Sequence, residues 1–109
     1  MKIDIQEHKG VKVFALSGEI DMASSPALRS ELMALVGRKA PVVFVDFKDV
    51  SYIDSSGIAT FVEGLKAMMP YGGRLKLLGV PAKIMEIFNF SKLDKVFEIY
   101  GNVEDAFKG

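Results

Sequence analysis

The residues best suited to chemistry lie in one short segment, Ser51-Tyr-Ile-Asp-Ser-Ser-Gly-Ile58. An apolar run typical of a strand (Val42–Val45) precedes this segment, and an apolar pattern with helical spacing follows it. The hydroxyls of Ser55 and Ser56 are therefore expected where a helix begins, beside the carboxylate of Asp54. A helix N-terminus has free backbone N–H groups and a partial positive charge, so it stabilises a phosphate group. The pattern fits a phosphorylated serine whose added charge leaves the fold intact.

The same residues also fit a purely structural role. Aspartate is common at the N-cap of a helix, so Asp54 could be a capping residue and nothing more. Ser55 and Ser56 would then simply occupy the first turn. The local pattern leaves both interpretations open.

Two carboxylates, Asp21 and Asp54, each follow an apolar stretch, and we expect them at the same end of the sheet. Paired carboxylates serve acid–base catalysis or bind Mg²⁺. The sequence lacks the other parts of such a site: its one histidine, His8, falls in the first hairpin, and it has no cysteine, Walker loop or Rossmann fingerprint. We therefore expect no catalytic residue, no metal and no cofactor. Asp21 and Asp54 are interpreted as loop and cap residues that also shape a docking surface.

The rest of the chain predicts alternating strands and helices. A tight turn at Lys9-Gly10 makes the first two strands antiparallel, and helical crossovers between the later strands make those parallel. Either Ser24 or Ser25 is expected to cap the first helix. The fold class is therefore α/β, with a mixed, mostly parallel sheet of four to five strands and about four helices. Strands are predicted over 2–7, 11–17, 42–47, 74–79 and 97–100, and helices from Ser24 or Ser25 to about 37 and over 55–69, 81–88 and 103–107.

Apolar residues on the predicted helices indicate which faces cover the sheet. Burying each of these side chains contributes on the order of 1.5–3 kcal/mol. The residues expected on the covering faces are Leu28, Leu32, Ile58, Val62, Leu65, Ile84 and Phe88.

Composition sets the remaining limits. A chain of 109 residues, half of them hydrophobic, fits one domain over residues 1–109 with a real core. Fourteen basic and fourteen acidic residues give a net charge of zero, so nothing favours nucleic acid as a direct partner. No apolar run approaches the roughly 20 residues of a membrane span, and we expect a cytoplasmic protein.

Five segments, in the right order along the chain, resemble parts of the STAS domains of bacterial anti-sigma factor antagonists. Asp54-Ser-Ser-Gly57 resembles their phosphoacceptor segment, and Ser17-Gly-Glu-Ile-Asp21 resembles their Gly-Glu-Leu-Asp loop. Val43–Phe47 and Arg74–Leu78 resemble the central strand and the strand after it, and 84–93 resembles the late helix and its turn. The likeness covers nearly the whole chain and implies the STAS fold.

The resemblance also implies a function. A family member captures an anti-sigma factor that has serine kinase activity, and this frees a sigma factor. Phosphorylation abolishes the capture, and a PP2C-type phosphatase restores it. In the family motif the phosphoacceptor is the serine directly after the aspartate, which is Ser55 here. Ser56 remains a competitor, because sequence physics does not separate two adjacent hydroxyls.

The docking surface implied by the motif comprises Asp21, Asp54, Ser55, Ser56 and Gly57. Glycine in a first turn costs a helix roughly 0.5–1 kcal/mol relative to alanine, so Gly57 is expected where a partner or a strand approaches closely. Of these two, we expect the partner. Two other classes remain as alternatives: an accessory subunit that docks on the ATPase of an ABC-type lipid transporter, and a small nucleotide-binding or hydrolytic protein.

Overall fold

The computed structural model describes residues Met1 to Gly109 and consists of one five-stranded sheet with four α-helices. The strands lie in the order β1-β2-β3-β4-β5, with β1 antiparallel to β2 and all later pairs parallel. This confirms the predicted α/β class and the mixed sheet. The elements are β1 (Lys2–His8), β2 (Val11–Ile20), α1 (Ser25–Gly37), β3 (Val42–Ile53), α2 (Ser55–Met68), β4 (Arg74–Leu78), α3 (Ala82–Phe90), β5 (Glu98–Tyr100) and α4 (Val103–Lys108).

The turn between β1 and β2 has two residues, as predicted. Lys9 and Gly10 have φ angles of 50° and 81°. Positive φ at both central positions belongs to the tight hairpin turn whose twist matches that of the flanking strands. The register of β1 on β2 follows, with His8 opposite Val11.

Most of the core lies between one face of the sheet and helices α1, α2 and α3. The rings of Phe47, Phe61 and Phe88 meet at its centre, with centroids 5.2 Å and 6.2 Å apart for the two pairs that Phe47 makes. Leu28 and Leu32 cover the sheet from α1, and Ile84 and Phe88 cover it from α3, as predicted. All of these side chains are buried.

The inward face of α2 differs from the prediction. Ile58, Val62 and Leu65 are only half-buried and pack at the margin of the core. The buried residues of α2 are Gly57, Thr60, Phe61, Gly64 and Met68. The two glycines have no side chain, so they let this helix lie close to its neighbours, and the larger aliphatic residues are turned to its flanks.

Helix α4 covers the opposite face of the sheet. Ala106 packs there on Val13, Phe44 and Leu78. The buried Lys76 lies under the C-terminal end of α4 and its Nζ donates a hydrogen bond of 2.6 Å to the carbonyl oxygen of Ala106. A cation at a helix C-terminus is favoured by the dipole and satisfies carbonyls that have no helical partner.

None of these helices is at once long and apolar enough to cross a membrane.

Candidate phosphorylation and docking site

The sheet brings Asp21 and Asp54 to one edge, as the sequence predicts. Parallel strands β2 and β3 end side by side, with Ile20 opposite Ile53. The backbone N–H of Asp54 donates to the carbonyl oxygen of Ile20 at 3.0 Å, so the two chain segments stay joined beyond the strands. His8 pairs with the first residue of β2, at the opposite end of that strand from this site.

Asp54 is the N-cap of α2. Its Oδ1 accepts hydrogen bonds from the backbone N–H groups of Ser56 at 2.9 Å and Gly57 at 3.1 Å. It also accepts the hydroxyl of Ser56 at 2.6 Å. This hydroxyl contributes most to lowering the pKa of Asp54 below its usual value; burial opposes the shift, and the backbone N–H groups of Gly57, Ser56 and Met22 add to it. The carboxylate is therefore held in its charged form at neutral pH.

Ser56 is half-buried and turned toward α1. Its Oγ lies 3.0 Å from Ser25 Oγ, besides its bond to Asp54. Its backbone carbonyl accepts the hydroxyl of Thr60 at 3.0 Å. Every polar atom of Ser56 that could face a partner is thus already engaged within the domain.

Ser55, by contrast, is exposed and its hydroxyl makes no hydrogen bond within the chain. It is the first residue of α2, where the backbone N–H groups and the helix dipole favour negative charge. The two adjacent serines therefore differ in accessibility, although nothing in the sequence around them distinguishes one from the other.

The loop between β2 and α1 is held by Asp21 and Ser24. Asp21 Oδ1 accepts the backbone N–H groups of Ala23 and Ser24, each at 3.0 Å. Ser24 occupies the N-cap position of α1, but its hydroxyl makes no capping bond to the helix. It accepts the N–H of Asp21 at 2.9 Å and lies 3.0 Å from the carbonyl oxygen of Glu19. Ser24 therefore takes the N-cap position that the sequence predicts, but its hydroxyl stabilises the preceding loop and makes no capping bond to the helix.

The expectation that Gly57 offers surface to a partner is wrong. Gly57 is buried, and a Cβ there would lie 2.7 Å from Ile20 Cγ2 and 2.8 Å from Ile53 Cγ1. These two isoleucines end β2 and β3, so the glycine allows α2 to start directly on the strands that position Asp54. The accessible part of the motif is reduced to Asp54, Ser55 and the outer side of Ser56.

Sequence reasoning missed two residues of this edge. Ser25 is only 6% exposed and joins the start of α1 to Ser56. Met22 is 78% exposed beside Asp21, an apolar side chain in a polar loop. That contrast in polarity is a signal that could have indicated Met22, whereas nothing local to the sequence indicates the partner of Ser25.

Asp21 and Asp54 lie at the same edge of the sheet, and each accepts its own set of hydrogen bonds. No group of three or more histidine, cysteine, aspartate or glutamate side chains in the structure is arranged to hold a metal ion.

Comparison with known proteins shows which family has this sequence and fold. The model of the STAS domain matches residues 2–106. The anti-sigma-B factor antagonist of Bacillus subtilis is 31% identical over 104 residues, which cover 95% of this chain and 94% of that protein.

Solved structures share the fold. An anti-sigma factor antagonist from Mycobacterium paratuberculosis has 26% identity and a TM-score of 0.87, over 98% of this chain and 91% of that one. The Bacillus cell fate determinant SpoIIAA, solved in its phosphorylated form, has 21% identity and a TM-score of 0.77, over 98% and 97% of the two chains. With the family model matched along almost its entire length, the chain belongs to the STAS domain family.

Proposed function

We propose that this protein is an anti-sigma factor antagonist controlled by phosphorylation of Ser55. Its unmodified form binds an anti-sigma factor with serine kinase activity and so frees a sigma factor. Phosphorylation of Ser55 by that kinase ends the binding, and a PP2C-type phosphatase reverses it. The protein acts by binding and not by catalysis, in the cytoplasm.

The observation that carries this proposal is the difference between two adjacent hydroxyls. Ser55 is exposed and unbonded at the start of α2, whereas Ser56 is bonded to Asp54 and turned toward α1. A kinase active site must surround the serine hydroxyl that it modifies, so Ser55 is the accessible acceptor. The name of the relative at 31% identity supports the sigma-factor pathway over the role of a transporter accessory subunit.

The docking surface in this proposal is the edge at which β2 and β3 end. It comprises Asp21, Asp54, Ser55 and Ser56, and Met22 adds an exposed apolar side chain to it. A phosphate on Ser55 adds about −1.5 to −2 charges in the middle of this surface. Charge and bulk then oppose a partner that was built to contact small side chains.

The test is phosphorylation by candidate kinases from the same genome, with ATP, followed by mass spectrometry. Wild type and Ser56→Ala should incorporate phosphate at residue 55, and Ser55→Ala should incorporate none while keeping its thermal midpoint. An exposed substitution of this kind changes the free energy of unfolding by less than about 0.5 kcal/mol. Undiminished phosphorylation of Ser55→Ala at another position would refute the assignment.

A further inference from the structure

Helix α4 has little apolar contact with the rest of the domain. It has six residues, too few for a helix that is stable by itself. Its one fully buried residue is Ala106, which adds a single methyl group to the packing, while Val103 and Phe107 are half-buried at the margin. Helices α1, α2 and α3 each bury large apolar side chains completely. Apolar contact therefore holds α4 to the sheet more weakly than it holds the other helices.

A buried lysine supplies the strongest polar contact between α4 and the sheet. Lys76 is only 4% exposed. Its Nζ donates hydrogen bonds to the carbonyl oxygens of Ala106 at 2.6 Å and Gly109 at 3.2 Å. The rings of Phe44 and Tyr100 flank the ammonium group, with centroids 5.9 Å and 5.3 Å from Nζ. The ammonium group thus joins the C-terminal end of α4 to the sheet beneath it.

The carboxylate that lies opposite Lys76 is engaged elsewhere. Glu98 pairs with Lys76 across β4 and β5. Its carboxylate accepts Arg74 Nε at 2.9 Å and the hydroxyl of Tyr100 at 2.8 Å. Lys76 takes part in none of the three ion pairs of the structure. Its ammonium hydrogens are therefore available to the last carbonyl groups of α4, which have no helical donor.

The contact matters only while α4 lies on the sheet. Ala106 is fully buried, so its carbonyl oxygen has no access to water in this position. Without the amine of Lys76, that oxygen would be a buried acceptor with no partner and would carry its full desolvation cost. When α4 moves away, the oxygen binds water instead. Loss of the amine therefore penalises the position of α4 and not the folded sheet.

We propose that α4 is a lid that opens as a unit while the sheet stays folded, and that Lys76 is the latch that keeps it closed. Two exposed residues, Gly101 and Asn102, connect β5 to α4 and serve as the hinge. Opening uncovers the apolar side chains of β2, β3 and β4 that Ala106 covers. The inference is independent of the proposed function.

Lys76→Met removes the latch with little change to the packing. Methionine is similar in length and packs well against aromatic rings. Replacing a buried charge by an apolar group is often neutral or stabilising, so the sheet should keep its stability while α4 opens more often. Lys108→Met is the matched control. Lys108 is exposed in the last turn of the same helix and makes no hydrogen bond or ion pair, so this change removes an equal charge without altering the latch.

Thiol labelling measures the opening directly. The chain has no cysteine, so a single introduced thiol is the only group to react with a soluble aromatic disulfide. Val13→Cys places that thiol under α4, and Val45→Cys places it on the other face of the sheet, under the larger helices; both positions are buried. Position 13 should react faster than position 45, because it requires only α4 to move.

The latch variant should then act at one position only. Lys76→Met should speed labelling at position 13 about tenfold to a hundredfold, the range for one hydrogen bond to a charged group, and leave position 45 unchanged. Lys108→Met should change neither rate. An unchanged rate at position 13, or an equal increase at both positions, would overturn the role of Lys76. A position 13 that reacts no faster than global unfolding allows, as measured by denaturant titration, would refute the lid.

Amide hydrogen exchange gives a second measurement that requires no cysteine. The N–H groups of Ala106 and Gly109 donate to the carbonyl oxygens of Asn102 and Asp105. In wild type both amides should exchange faster than those of β3, and in Lys76→Met the difference should widen by the same tenfold or more. Exchange of α4 and β3 at one common rate in wild type would contradict the lid even if Lys76→Met fails to fold.

Discussion

Gly57 shows how a single residue connects the sheet to the site. A Cβ at Gly57 would point at the side chains of Ile20 and Ile53, and both isoleucines are almost fully buried. Branched side chains at the ends of adjacent strands have little freedom to move away, so they fix how near the first turn of α2 can lie.

Gly57→Ala should therefore destabilise the domain. Overpacking of this kind costs about 1–3 kcal/mol, and the higher helix propensity of alanine offsets only part of that cost. Chemical denaturation would measure the loss, and partner binding by the variant that remains folded should be close to that of wild type. A more stable variant would mean that the two isoleucines move aside more easily than their burial indicates.

Asp54 gives the stability of the domain a predictable dependence on pH. Its pKa is lower in the folded chain than the ordinary value of 3.8, chiefly because of the Ser56 hydroxyl. A carboxyl with a lowered folded pKa contributes stability that is complete above the unfolded pKa and is lost as pH falls through the folded pKa. The contribution of Asp54 should accordingly be full at neutral pH, begin to decline as pH approaches 3.8, and be lost as pH falls further through the lower pKa of the folded state.

The comparison that isolates this effect is wild type against Asp54→Asn, because asparagine still caps a helix but carries no charge. The advantage of wild type in thermal midpoint should be constant from pH 7 to pH 5 and shrink below that. Glu98, whose pKa is lowered mainly by Arg74, titrates in both proteins and cancels in the difference. A difference that does not change with pH would contradict the role assigned to the charge.

At this scale the sequence predicted the residues that act through their neighbours along the chain. The four-residue motif that begins at Asp54 predicts that Asp54 is the N-cap and that Ser55 is the first residue of the helix. The roles of Ser25 and Gly57 do not follow from such a motif, because their partners belong to other elements; Ser25 and Ser56 are 31 positions apart.

Among the elements, α1 and α2 pack closely because Gly64 faces Leu32. A Cβ at position 64 would meet the side chain of Leu32, which is fully buried. The exposed ion pair of Arg29 with Glu63 joins the same two helices at the surface and contributes little. The packing of Gly64 on Leu32 is therefore the contact that sets the distance between the helices.

A double-mutant cycle at this contact should give a favourable coupling. Gly64→Ala alone overpacks the contact, and Leu32→Val alone loses about 1 kcal/mol of core packing. Together the smaller valine makes room for the new methyl group, so the double variant should be more stable than the sum of the single changes by about 1 kcal/mol. Additive effects in denaturant titrations would show that the two side chains do not compete for the same space.

Element types were predictable, but some element lengths were not. Strand β3 continues to Ile53, well beyond the predicted end at residue 47. In its second half Val50 and Ile53 are buried and their spacing of three breaks the alternation expected of a strand. Irregular register on β2, between Ala15 and Ser17 and between Gly18 and Glu19, absorbs the extra residues. Such bulges depend on the pairing of two strands, which a single stretch of sequence does not reveal.

For the whole molecule, the balance of basic and acidic residues means that phosphorylation changes the electrostatic potential mainly near the modified serine. The chain has a net charge of zero, so about two added negative charges change its overall electrostatics little. On Ser55 they are favoured by the start of α2 and opposed by Asp54. The domain should tolerate them, and a docked partner should not.

Ser55→Asp should therefore keep a melting temperature near that of wild type while binding the anti-sigma factor more weakly. Ser30→Asp adds the same charge at an exposed position on α1 and should bind normally. Calorimetric titration with the partner and thermal melts on the same samples would separate the two effects. Equal loss of binding in both variants would indicate a general charge effect, and unfolding of Ser55→Asp would contradict the division between fold and interface.

The order of the strands has a consequence for how the chain is made. Each strand of the sheet lies next to the strand that precedes it in sequence. A chain leaving the ribosome from its N-terminus can therefore close the short hairpin first and then add one strand at a time to the same side of the sheet. No later strand has to separate two that are already paired. At each stage the nascent chain can form a smaller sheet with the final strand order, and its most recent strand has an unpaired edge on which the next strand can pair.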